Sequence, residues 1–261
     1  MGIKNFFLKL KEKISKNNFE NFPAIGGLMV SKMITEDGKK PLFMYREKIA
    51  GSHDSGWRIF SGFESEAYTD DPKNAAYYNP STILKIDPSI APLLFKGIGS
   101  VYEKTEKNGE WYKVTDFELD DDFMVTHQLT EGWSIEINNL FEREVDKDGT
   151  LKYTTGDKTV RIIIWNEENC SKQELYEEHK QMIDDRSQLL GEKLKTLDIS
   201  NIDVAKVCFC TREKGISKSY NVIYAYSIID NQVIETVLYF DYDEDFDWAV
   251  ETWKNIKFKG K

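Results

Sequence analysis

Apolar and polar positions change period several times along the chain, and each period predicts an element. Ile3, Phe6, Phe7, Leu10 and Ile14 recur three or four apart with lysines between them, which predicts a basic amphipathic helix over residues 3–16. A linker follows through Pro23. Residues 28–34 and 41–46 are rich in branched and aromatic side chains and predict two strands, with Asp37-Gly38 between them as a hairpin signal. Trp57 and Ile59 alternate with Arg58 and Phe60 between Gly56 and Gly62, a third strand, and the three are expected to pair antiparallel. An acidic loop through 69–72 leads to a short helix or turn at 79–84. Asp87 is placed to cap the turn that Pro88 begins, and residues 97–103 read as an edge or closing strand. Residues 111–114 predict one more strand before the acidic run of Asp116, Glu118, Asp120, Asp121 and Asp122.

The second half begins with alternating strands at 133–137, 141–145 and 151–153, the last two joined by Asp148-Gly149. Residues 159–165 are continuously apolar, as in a strand buried on both faces. Ser171 with Glu174 forms a capping box, opening a helix whose apolar stripe is Leu175, Met182, Ile183, Leu189 and Leu190, with Gly191 as its stop. Strands over 204–211, 220–229 and 232–242 follow, with Asp230-Asn231 as the tight turn between the last two. A closing helix over 245–255 places Phe246, Ala249, Val250 and Trp253 on one side. Strands, long helix, antiparallel strands and helix make an α+β chain of two domains. The expected pieces are a leader over 1–22, a small antiparallel-sheet domain over 23–129, and an antiparallel sheet with helices packed on it over 130–261.

Composition narrows the partners. A chain of 261 residues suits two domains, and 40% hydrophobic with 13% aromatic residues is enough for real cores. The net charge of −10 argues against nucleic acid, which requires clustered Lys and Arg, and favours a basic partner. Only residues 1–17 run the other way, with five Lys against one Glu, so the leader helix has three destinations: an anionic membrane surface, an acidic patch of this protein, or solvent. Its lysines interrupt the apolar run too often for a signal peptide, and no stretch has the length of a membrane span. Three cysteines without framework spacing fit a reducing cytoplasm.

Candidate chemistry is sparse. Asp241, Asp243, Asp245 and Asp247 before Glu251 suggest a calcium loop, but Phe246 stands where that loop needs Gly and Thr252 where it needs Glu. Negative charge at a helix N-terminus accounts for the run without a metal. His53, His127 and His179 lie far apart, and Cys170 is nine residues from His179, off any common helix face. Glu64 with Glu66 and Asp70 with Asp71 read as solvated loop acids, and Cys208 and Cys210 as two buried thiols on one strand face. No catalytic set, cofactor site or metal site is expected.

The ordered segments Val30-Ser31-Lys32, Met44-Tyr45-Arg46-Glu47, Asp54-Ser55-Gly56-Trp57-Arg58 with Ser61-Gly62, Ile86-Asp87-Pro88-Ser89 and Gly99-Ser100-Val101-Tyr102-Glu103 resemble a bacterial family over residues 25–105. That family was first described as a domain of unknown function and later placed among the immunity proteins of polymorphic toxin systems. The resemblance implies a protein that binds and neutralises a toxin rather than an enzyme. Residues 131–258 loosely resemble PsbP-like sandwiches in topology, with no diagnostic motif, and a likeness at that level implies no function.

Within the family segments, Asp54, Trp57 and Arg58 are partner-binding candidates, as Trp and Arg often supply interface energy. The alternative is a core-filling Trp57 and an Arg58 paired to a neighbouring acid. Asp120, Asp121 and Asp122 are candidates for meeting a basic toxin surface, or else a solvated linker. Two other functions stay open: a generic interaction or ligand-binding protein with no toxin partner, and a hydrolase using Asp54 and His53.

Overall fold

The computed structural model describes residues 19–20, 22–105, 109–190, 194–215 and 218–259. The helix expected over 3–16 and the stop at Gly191 lie outside them. The chain divides into two compact units, through Phe123 and from Met124 onward.

The first unit is a six-stranded sheet of β1 (Gly27–Ser31), β2 (Phe43–Arg46), β3 (Asp54–Phe60), β4 (Ala75–Tyr78), β5 (Val101–Lys104) and β6 (Trp111–Lys113), in the order β4-β1-β3-β2-β5-β6. β3 is central, antiparallel to β2 with Met44 opposite Ile59, but parallel to β1 with Val30 opposite Ile59. The expected all-antiparallel triplet is therefore corrected. Its cause is Ser31, whose hydroxyl accepts from the Met33 N–H at 3.3 Å and caps a one-turn helix, α1 (Lys32–Thr35). That turn carries the chain away before Asp37-Gly38 can close a hairpin on β1.

β4 was not legible: after a one-turn helix, α2 (Glu66–Thr69), and a 3-10 turn at Pro72–Asn74, the unassigned residues between the acidic loop and Asn79 supply the edge strand beside β1. β5 is not an edge, since β6 pairs outside it. The short helix expected near 79–84 is α3 (Pro80–Ile86), and Asp87 caps the following turn by accepting from the Ser89 N–H at 2.9 Å. Leu28, Val30, Met44, Trp57 and Ile59 share one sheet face and pack with Ile83, Leu84, Ile90 and Leu94 into the core of this unit.

The second unit carries two sheets. β7 (Met124–Gln128), β8 (Trp133–Asn138) and β16 (Ile256–Phe258) form a three-stranded sheet in the order β16-β8-β7. β9 (Glu142–Val145), β10 (Leu151–Thr154), β11 (Lys158–Asn166), β12 (Lys195–Asp198), β13 (Ala205–Lys214), β14 (Ser219–Ile229) and β15 (Gln232–Phe240) form a seven-stranded one. Its order is β12-β13-β14-β15-β11-β10-β9, antiparallel at every pairing. One face packs with Trp133, Trp253 and Ile256, the other with Leu175 and Ile183.

The long helix is α4 (Lys172–Leu190), and its capping box is formed: Glu174 accepts from the Ser171 N–H and hydroxyl, both at 2.8 Å. Of its expected stripe, Leu175 and Ile183 are buried while Met182 and Leu189 face solvent. The buried seam runs through Leu175, His179 and Ile183, spaced by four, and His179 donates through Nδ1 to the Leu175 carbonyl at 2.7 Å. β11 is likewise not buried on both faces, since Val160 and Ile162 are covered but Ile163 is exposed. Asp230 makes the tight turn with φ of 47°.

The closing helix is α5 (Phe246–Lys254), with Ala249, Val250 and Trp253 buried. Lys206 reaches its C-terminal end, donating to the carbonyls of Trp253 at 3.2 Å, Lys254 at 3.4 Å and Ile256 at 2.6 Å. Burial, with a smaller contribution from Lys257, lowers the Lys206 ammonium to about 8.

Cys208 is in the core, and burial pushes its thiol up to about 12, whereas Cys170 is half-buried. Iodoacetamide at pH 8 should therefore modify Cys170 in the native protein and leave Cys208 untouched until denaturant is added, as peptide mass mapping would show. Equal native labelling of Cys208 would contradict this core.

Candidate functional site

β3 carries the residues around which the first unit is arranged. Gly56 has φ of +79°, and a Cβ there would lie 2.3 Å from the Glu47 carbonyl oxygen, so only glycine fits. This conformation lets Asp54 fold over its own strand: Oδ1 accepts from the Gly56 N–H at 2.9 Å and Oδ2 from the Ala50 N–H at 3.2 Å. Arg58 then closes a two-pronged pair on the same carboxylate, with Nη1 to Oδ1 at 2.8 Å and Nη2 to Oδ2 at 2.7 Å. Its Nε donates to Glu47 at 2.6 Å. Burial raises the Asp54 carboxyl, but the Arg58 hydrogen bonds, the two backbone N–H groups and the Arg58 charge outweigh it and hold the group at about 2. Burial lowers Arg58, but the hydrogen bonds and charges of Asp54 and Glu47 outweigh it and raise the guanidinium.

Trp57 points to the opposite face, fully buried, and donates from Nε1 to the Leu94 carbonyl at 3.2 Å. Asp54 and Arg58 are also buried, so these three candidates take the core-filling and acid-paired arrangement. Asp120 and Asp122 are exposed and Asp121 half-exposed, flanking a buried Leu119. The structure thus brings Asp54 and Arg58 together and keeps Trp57 on the other side of the sheet. His53 is exposed, while the Asp54 oxygens are already occupied by Arg58 and backbone.

Two arrangements went unread in the sequence. Asp87, Ser89, Lys104 and Trp111 form a polar lock between the turn after α3 and strands β5 and β6. Ser89 donates to Asp87 at 2.6 Å and accepts from Trp111 Nε1 at 2.8 Å, while Lys104 spans Asp87 at 2.6 Å and Ser89 at 3.1 Å. The hydroxyl is fully engaged, so the group can brace the sheet but offers no free nucleophile.

The other arrangement is on the sheet face away from the core, where Phe43, Tyr45 and Phe60 stand beside Phe117 from the acidic segment. Phe117 lies 5.1 Å from Phe43 and 5.2 Å from Tyr45 between ring centroids. The signal available was that Phe43 and Tyr45 flank a core Met44, which leaves large rings on the second face of β2. Among the described residues, no helix is long and apolar enough to cross a membrane.

Two substitutions probe β3. Asp54→Asn leaves Arg58 half-paired and should cost about 3 kcal/mol in urea unfolding. Since the folded carboxyl titrates near 2 and an unfolded aspartate near ~4, its stabilisation is complete above about pH 4 and lost as pH falls through about 2; the variant should lack that acid-limb slope. Gly56→Ala forces both a left-handed Cβ and a backbone collision, and should cost at least about 2 kcal/mol. Wild-type stability in either variant would show that the pair and the turn do not govern the unit.

No curated protein matches the chain. Among solved structures, cyanobacterial PsbP (CyanoP) from Synechocystis sp. PCC 6803 is similar at 8% identity and a TM-score of 0.38, over 57% of this chain and 97% of that one. Residues 28–115, running from β1 to just beyond β6 and containing both the Asp54–Arg58 pair and the Asp87–Lys104 lock, match the Immunity protein Imm33 domain.

Proposed function

We propose that this chain is an immunity protein that neutralises a cognate bacterial toxin by stoichiometric binding, covering the toxin's working surface and transforming nothing itself. The observation that carries the reading is the coincidence of the Imm33 match with the unit built on β3. The polar groups of that unit support it, because Asp54, Arg58, Ser89 and Lys104 satisfy one another inside the fold instead of converging on a vacant reaction centre. A net charge of −10 favours a basic toxin, accelerating encounter and penalising acidic partners. The buried state of Asp54, Trp57 and Arg58 makes them the frame of the binding surface, and leaves Asp120, Asp121 and Asp122 as contact candidates. The cytoplasm is the compartment assigned in this reading, and the free thiols are compatible with it.

Co-expression with toxins encoded in neighbouring genes is the direct measurement. Growth should be restored, and a one-to-one complex should appear by light scattering, with affinity falling at least about tenfold between 0.1 and 0.5 M salt. Failure to bind or protect against any of them would remove the immunity reading.

A further inference from the structure

Phe43, Tyr45 and Phe60 project from adjacent positions of β2 and β3 on the face opposite the core, and none belongs to the buried cluster of that unit. Phe117, itself 37% exposed, completes the group. Tyr45 stacks on Phe60 at 6.0 Å between centroids and leans on Phe117 at 5.2 Å, so the rings make one continuous half-exposed patch. The charges that act on Tyr45 are those of Glu47, Arg58 and Asp120. Arg58, directly opposite Tyr45 in register, is neutralised by Asp54 and Glu47. Glu47 remains 40% exposed, and Glu103, Asp116, Glu118 and Asp120 are exposed on the neighbouring strand and segment. Burial raises the Tyr45 hydroxyl most, and Glu47 and Asp120 raise it further against the lowering effect of Arg58, which places both acids within electrostatic reach of the ring.

A ring face attracts a cation, and a nearby carboxylate adds to that attraction. We propose that this face is the docking surface for a basic segment of a partner protein, with an arginine or lysine side chain seated against Tyr45 and Phe117 and countered by Glu47 and Asp120. The identity of that partner as a toxin rests on the function proposed above; the seat itself rests on the rings and acids. Phe117 also pins the acidic segment to the sheet, so a test must separate packing from cation recognition. Tyr45→Leu with Phe117→Leu does so, keeping apolar bulk while removing both ring faces.

The full chain is titrated with a hexa-arginine peptide, by calorimetry for affinity and by amide NMR shifts for location. Shifts are expected at β2, β3 and residues 114–120, with affinity falling about tenfold or more in the double leucine variant and several-fold in Asp120→Asn. Thermal midpoints should stay close to wild type. Shifts centred elsewhere, or unchanged affinity in folded variants, would overturn the seat. The double leucine variant is also co-expressed with a toxin that the wild type neutralises. Full protection by that variant would overturn the seat and leave the immunity reading in place, whereas ring-dependent peptide binding by a chain that protects against no toxin would support the seat and remove that reading.

Discussion

The first unit depends on a buried ion pair closed over a glycine. Asp54 and Arg58 lie four residues apart on one extended strand, a distance that ordinary β geometry does not bring within bonding reach. The left-handed Gly56 makes up the difference, and the register between β1 and β3 accordingly shifts between Gly27 and Met29. With both carboxylate oxygens and three guanidinium nitrogens engaged, the charges are kept out of water at tolerable cost. Trp57, held between them in sequence, is thereby fixed toward the core, and Phe60 is left half-exposed on the outer face.

The same frame separates strength from recognition. The core face carries Trp57, Ile59, Leu28 and Val30, all fully buried, and the polar lock of Asp87, Ser89 and Lys104 braces the β5–β6 end of the sheet. The outer face keeps half-exposed rings, with the exposed Asp116, Glu118 and Asp120 on the segment beside them. In the second unit the arrangement is different: one face of the seven-stranded sheet packs with Trp133 and Trp253, α4 covers the other along β13 and β14, and a single lysine, Lys206, closes the carbonyl end of the last helix.

Much of the α+β pattern was legible because it depends on neighbours in sequence. The Ser171–Glu174 box, the Asp230 turn and the Asp87 cap are contacts over one to three residues, and they formed as read. What was misread depends on distant partners. Nothing local in Ala75–Tyr78 announces a strand; it becomes one because β1 offers an unpaired edge. Ser31 does two things at once, closing β1 opposite Ala75 and capping α1 through its hydroxyl, so the strand read over residues 28–34 stops there. For the candidate site, residue types pointed to Asp54, Trp57 and Arg58, but which side of the sheet each faced was set by the Gly56 conformation, and Phe117 joins Phe43 and Tyr45 only through tertiary approach.

The parallel pairing of β1 with β3 governs the order in which the unit can be made. β1 leaves the ribosome first, yet both of its partners follow it, and its outer neighbour is complete only when Tyr78 has been added. A hairpin could have closed within a few residues; this arrangement obliges an apolar strand to wait, exposed, through much of the synthesis of the unit. β1 therefore stays unpaired until β3 and β4 have been made, and the sheet is complete only once β6 has followed at Trp111–Lys113.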